Sequence, residues 1–284
     1  MRSMLFVPGD SPRKFEKASD SKAGALILDL EDSVATEKKE EARKLTRVAL
    51  SGRRGAQQLY VRVNALDTGM TLLDLAAVMS AAPDGIVLPK SHGGDDIRQL
   101  SFWLDAFEAA AGLQVGATRI VAVATETAAS LFGLASYKES SPRLVGLMWG
   151  AEDLAASLGA SENRSGGVLH SPFRLARDMC LMGAAAADVA AIDTVYTDID
   201  NLVGLEEETR AATDSRSRPS STPSMSTSST PLSSPPPLNG RGPRRSSPRS
   251  REIPISARSV STAKWSTSHT SGPPRKCSVL GSSP

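Results

Sequence analysis

The 284-residue sequence predicts an α/β protein, either a doubly wound sheet or a (β/α)8 TIM-type barrel. Three observations carry this reading. Short apolar runs alternate with helix-patterned stretches through the first 210 residues. Most of these runs are near-continuous rather than alternating, as parallel strands covered on both faces require. They also come as seven regular β-α units, which favours a barrel lacking its eighth strand over a doubly wound sheet.

Each element follows from local composition. The expected strands are Ser3–Val7, Ala25–Leu30, Leu59–Asn64, Gly85–Pro89, Arg119–Thr125, Leu144–Gly150 and Ala191–Ile199. Pro8-Gly9-Asp10 ends the first. Glu37–Leu50 and Asp95–Ala111 are rich in Ala, Leu, Glu, Lys and Arg and read as amphipathic helices. Glu152 stands before the helical Leu154–Leu158 and reads as a cap. Gly166-Gly167 reads as a loop rather than a phosphate cradle, because no strand leads into it.

Charge divides the chain at residue 210. Residues 211–284 hold 11 bases against 2 acids, leaving residues 1–210 with 22 bases against 29 acids. The last 74 residues contain 12 of the 18 prolines, and Ser, Pro and Arg make up 43 of them. Such a composition buries too little apolar surface to offset chain entropy, so 211–284 is expected to be a disordered tail. Its arginines are scattered among Ser and Pro, which points to a solvated segment and no nucleic-acid partner. No apolar run reaches the length of a membrane span, and the N-terminus lacks a secretory core. Cys180 and Cys277 lie in different parts of the chain, so a reducing, cytoplasmic setting is expected and Cys180 reads as buried packing.

In a barrel the reactive groups gather at the carboxyl ends of the strands. Those ends carry Asp10 and Arg13, then Asp29, Glu31 and Asp32, then Arg62 and Asn64, Lys90, Glu126, and finally Glu152 and Asp153. Carboxylates from several strands suit a hard cation such as Mg²⁺, which takes one or two of them plus waters and substrate oxygens. A neighbouring arginine suits a substrate carboxylate, gripped in a bidentate fork. Lys90 reads as a solvated strand-end lysine in preference to a Schiff-base lysine. His92 and His170 show no metal-ligand spacing and read as loop histidines.

RSMLFVPGDSPRKFEKA, LDLEDSV, YVRVN, VLPK, TET and GAEDLAASLG occur in that order between Met1 and Glu208. This series resembles the citrate lyase beta subunit-like acyl-CoA lyases of the HpcH/HpaI aldolase family. The resemblance implies a Mg²⁺-dependent barrel that makes or breaks a carbon–carbon bond in a hydroxyacyl-CoA thioester of the citryl, malyl or citramalyl type. It implies that Glu126 and Asp153 are metal ligands and that Arg62 holds the oxoacid carboxylate. Phe6, Arg13 and Lys14 match the segment that meets coenzyme A. Asp29, Glu31 and Asp32 match an outer acidic set that orders metal-bound water. A homo-oligomer, a trimer, is also implied.

The same resemblance implies an eighth strand with a His-Pro motif and a closing helical segment, and neither is visible after Arg210. Codons for Ala263–Thr267, AKWST, read one frame over, permit Lys-Met-Val-Asp, a stretch of the family's ending. The same shift across Ser217–Asn239 permits a His-Pro string. The tail is therefore expected to be the family's C-terminal part translated out of frame. The alternative to a working lyase is an inactive truncated member or a non-catalytic CoA-binding protein.

Overall fold

The computed structural model of the chain describes residues 3–52, 55–195 and 203. The expected boundary at residue 210, the tail 211–284 and positions 196–199 of the last expected strand lie outside them.

Seven strands form one parallel sheet whose spatial order is the order of the chain. They are β1 (Met4–Pro8), β2 (Ala25–Asp29), β3 (Gln58–Arg62), β4 (Gly85–Leu88), β5 (Arg119–Val123), β6 (Leu144–Met148) and β7 (Ala190–Ile192). Helices alternate with them: α1 (Pro12–Ser19), α2 (Lys39–Ser51), α3 (Thr71–Val78), α4 (Gly94–Ala110), α5 (Ser130–Gly133), α6 (Ala151–Leu158) and α7 (Ser171–Ala186). Sequential parallel neighbours joined by helices are the barrel arrangement, and among the described residues its eighth strand is missing.

The continuous apolar runs are explained by two separate buried layers. Leu26, Leu28, Val61, Ile86, Leu88, Ile120, Ala122 and Leu147 face the helices. The alternate residues Ala25, Ile27, Tyr60, Val87, Val121, Val123 and Met148 make the second layer on the opposite face. All five residues of β2 are buried, so this strand shows no alternation in sequence.

Register then decides which polar residues meet. Asp29 is the cross-strand partner of Arg62, one step beyond the pair Leu28 and Val61. Between β5 and β6 the register slips at Ile120/Val121 and brings Val123 opposite Met148. The turn after β1 is pressed against β2, where the Gly9 amide donates to the Asp29 carbonyl at 2.8 Å. A Cβ on Gly9 would stand 2.8 Å from that same oxygen, which requires glycine there. Pro12 opens α1, where a missing N–H costs nothing.

Two expectations need correction. Gly166-Gly167 is a loop as expected, but a short strand does lead into it: it is the turn of a hairpin pairing Arg164–Ser165 with Val168–Leu169, and its φ values of 56° and 81° are those of a tight two-residue turn. Glu152 is no cap: it lies inside the first turn of α6, and its carboxylate accepts from Asn163 Nδ2 at 2.9 Å.

Candidate active site

The ends of β2 and β3 supply an arginine held from one side. Asp29 takes Arg62 Nε on Oδ1 and Nη2 on Oδ2, each at 2.7 Å. Its remaining capacity goes to the amides of Glu31 at 2.9 Å and Ser33 at 3.1 Å. Burial raises the Asp29 carboxyl, but Arg62 outweighs it and holds the group below its ordinary value. Asp29 thus accepts four hydrogen bonds, and it braces the Arg62 guanidinium from one side. Phe6 joins this unit: its ring lies 4.9 Å beneath the guanidinium. The side-on edge of Arg62 is spent on Asp29 and its Nη1 faces Glu31 Oε2 at 3.1 Å, while Nη1 and Nη2 each carry a further N–H for a carboxylate at the end-on fork.

Glu31 and Asp32 follow on the same turn. Glu31 is buried; its Oε1 receives Lys90 Nζ at 2.5 Å. Its Oε2 has no hydrogen bond, although Arg62 Nη1 stands 3.1 Å away. Asp32 is half exposed and 3.7 Å from Lys90 Nζ. The turn itself is held from below by Lys39, whose buried ammonium donates to the carbonyls of Leu30 at 2.7 Å and Glu31 at 2.6 Å.

Lys90 differs from its sequence reading as a solvated lysine. Its ammonium is ion-paired, and although burial pulls it down, Glu31 holds it above the ordinary lysine value. A permanently charged amine is a poor imine former, which disfavours Schiff-base chemistry as well. Its backbone amide donates to Glu126 Oε2.

Glu126, after β5, and Asp153, in the first turn of α6, lie close enough for the two carboxyl groups to act on each other electrostatically. Burial, opposed by the Lys90 amide and reinforced by Asp153, pushes the Glu126 carboxyl up to about 8. Gly150 makes room for this pair, because a Cβ there would lie 2.5 Å from Glu126 Cγ. The turn carrying Asp153 is tied on both sides: the Gly150 amide donates to Thr125 Oγ1 at 3.2 Å and the Ala151 amide to Thr194 Oγ1 at 3.3 Å. Asp193 adds a third tie, accepting from Trp149 Nε1 and Arg177 Nη2, both at 2.5 Å.

Arg62, Asp29, Glu31, Asp32, Glu126 and Asp153 therefore all lie at the carboxyl ends of adjacent strands, joined through Lys90. Arg13 and Lys14 stand apart, exposed in the first turn of α1. His92 is exposed and lies 3.7 Å from Asp96, and His170 precedes α7 with Glu162 at 3.4 Å, so neither enters the site. Cys180 is buried, and burial pushes its thiol up to about 12. Sequence reasoning missed Lys39 and Tyr137, which lie on helical segments and leave no strand-end signal, and Asp193, which follows β7 directly but falls inside the expected strand Ala191–Ile199.

Among the described residues no three His, Cys, Asp or Glu side chains converge on one metal position. Two carboxyl groups crowded together, one of them buried, still fit an ion that takes few protein ligands.

The family model for HpcH/HpaI aldolase/citrate lyase matches residues 2–215. The citrate lyase subunit beta of Haemophilus influenzae is 34% identical over 208 residues, 73% of this chain and 70% of its own length. The (3S)-malyl-CoA thioesterase of Cereibacter sphaeroides is 34% identical over 212 residues, 73% of this chain and 67% of its own. Among solved structures, the Mycobacterium tuberculosis citrate lyase beta subunit complexed with oxaloacetate and magnesium aligns with a TM-score of 0.59 at 32% identity, covering 75% of this chain and 87% of that one. Protein CitE from the same organism, in complex with magnesium, acetoacetate and coenzyme A, gives 0.61 at 33%, covering 74% and 72%. With the parallel sheet, the strand-end acids and these matches in agreement, the chain belongs to the HpcH/HpaI aldolase/citrate lyase family of lyase-type enzymes.

Proposed function

We propose that this chain carries the site of a Mg²⁺-dependent carbon–carbon lyase acting on a hydroxyacyl-CoA thioester of the citryl, malyl or citramalyl type. The carrying observation is the Glu126–Asp153 pair. Two facing carboxyl groups repel when both are ionised, and a divalent cation between them removes the cost. Glu126 and Asp153 would hold the ion. Bound there, Mg²⁺ supplies a Lewis-acidic charge for an oxygen that becomes a carbonyl.

The chain's own residues supply the rest. Cleavage turns the hydroxyl carbon into the carbonyl of an oxoacid and leaves an enolate on the thioester side. Arg62, fixed by Asp29 and backed by Phe6, presents its end-on fork to the oxoacid carboxylate and so orients the breaking bond. Glu31, buried between Lys90 and Arg62, sets its Oε2 3.1 Å from Arg62 Nη1 and so holds that end of the fork in place. Arg13 and Lys14, exposed at the start of α1, suit the phosphates of coenzyme A. Support for the thioester class comes from relatives whose names include a malyl-CoA thioesterase and a complex with coenzyme A. A cytoplasmic setting and a trimeric assembly go with this reading. The test is cleavage of the three thioesters by the chain and by Glu126→Ala. Loss of Mg²⁺-dependent turnover supports it, and unchanged turnover rejects it.

A second reading has its own support. The family match stops at residue 215, and the described sheet has seven strands where a closed barrel has eight. We propose that residues 1–210 are an incomplete lyase barrel and 211–284 its C-terminal part read out of frame, leaving a weakly active or non-catalytic CoA-binding product. The coding DNA decides this: a shifted frame near codons 205–216 restores the family's ending, or the reading is rejected.

A further inference from the structure

Lys90 touches both acidic groups of the site at once. Its amide donates to Glu126 Oε2, while its ammonium lies 2.5 Å from Glu31 Oε1 and 3.7 Å from Asp32 Oδ1. One residue makes both contacts while its backbone is left-handed, with φ at 52°. That conformation is costly for any residue with a Cβ and persists only where its surroundings impose it. Here they do. The next amide, Ser91 N–H, donates to the Val123 carbonyl at 3.2 Å. The Tyr137 hydroxyl, wholly buried, reaches Ser91 Oγ at 2.8 Å and its carbonyl at 3.2 Å. The end of β4 is thereby pinned to β5 and to the 3-10 turn Leu134–Tyr137 that precedes β6.

Strain of this kind is retained where it positions something. Accepting the cation reading above, we propose that Lys90 is a positioning residue with two separable actions. Its amide aims Glu126 at the divalent ion, and its ammonium offsets Glu31 and Asp32 so that the ion is held less tightly than the acids alone would hold it. Tyr137, acting through Ser91, keeps the Lys90 backbone in place.

Titration of the full-length chain with Mn²⁺, followed by the electron paramagnetic resonance signal of the free ion, tests this without turnover. Lys90→Met removes a positive charge beside the acids and should tighten Mn²⁺ binding by about tenfold. Lys90→Gly accommodates the left-handed backbone without strain and keeps the amide, so it should tighten binding equally. Tyr137→Phe keeps every charge but leaves Ser91 held only by its bond to the Val123 carbonyl, and should weaken binding by roughly tenfold. Opposite signs from the lysine and tyrosine variants are what a merely structural role does not produce. Weaker or unchanged binding in both lysine variants overturns the inference while leaving the cation reading intact. A parent chain that fails to bind Mn²⁺ overturns the cation reading, and this inference with it.

Discussion

Asp29, Glu31 and Asp32 are three acids within four residues, and the sequence presents them as one set. The structure separates them by direction. Asp29 is the cross-strand partner of Arg62 and is consumed by it, whereas Glu31 and Asp32 lie past the strand end and meet Lys90. Residue type and strand-end position were therefore legible, but the division of labour was not, because it depends on register. Asp29→Ala removes the bidentate partner of a guanidinium that is only 13% exposed and leaves it Glu31 at 3.1 Å. A loss of about 3–5 kcal/mol in urea unfolding is expected, together with a raised KM for the substrate.

Glu126 yields a prediction about pH. Its carboxyl lies at about 8 in the folded chain against an ordinary 4.5, so the native state binds more protons than the unfolded state between those values. Stability of the metal-free protein must then fall as pH rises from about 4.5 to about 8. Glu126→Gln should flatten that slope and raise the Tm measured in EDTA, while losing turnover. A variant whose Tm falls across the same range as steeply as the parent's would contradict the assignment.

At the scale of elements, α4, β5 and β6 are locked by a buried pair far from any motif. Glu108 accepts from Arg143 Nη1 at 3.0 Å and Nη2 at 2.6 Å, and from the amides of Gly116 and Thr118 at 2.7 Å. Although burial opposes it, these partners hold the Glu108 carboxyl down at about 2. The sign is opposite to that of Glu126: this contribution is complete above the ordinary value of 4.5 and is lost as pH falls toward about 2. Glu108→Ala should cost about 3–5 kcal/mol at neutral pH in urea unfolding, with progressively less effect in acid. Gly150→Ala acts between element and site. Its Cβ would collide with Glu126 Cγ, so it should weaken divalent-ion binding measured by calorimetry. The seven strands were legible because apolar runs survive wherever both faces of a sheet are covered. The hairpin at 164–169 was not, because two residues per strand carry no periodicity.

For the whole molecule, the unit absent among the described residues matters more than any side chain. Among the described residues β1 and β7 each pair on one side only, whereas a closed barrel joins its first and last strands. Open edges invite association and forgo burial, against a typical total stability of only about 5–15 kcal/mol. On the out-of-frame reading proposed above, a gene restored to the family's frame should give a protein with a higher Tm and faster turnover than this chain. The count of seven was readable from the sequence because each βα unit carries its own apolar run and helix.

The most direct test of the proposed lyase activity is cleavage of citryl-CoA, malyl-CoA and citramalyl-CoA by this chain, with Mg²⁺ and with EDTA, beside its Glu126→Ala variant. Slow cleavage of at least one thioester is expected, requiring Mg²⁺ and disappearing in the variant. Cleavage that persists in EDTA, or that survives the loss of Glu126, would contradict it.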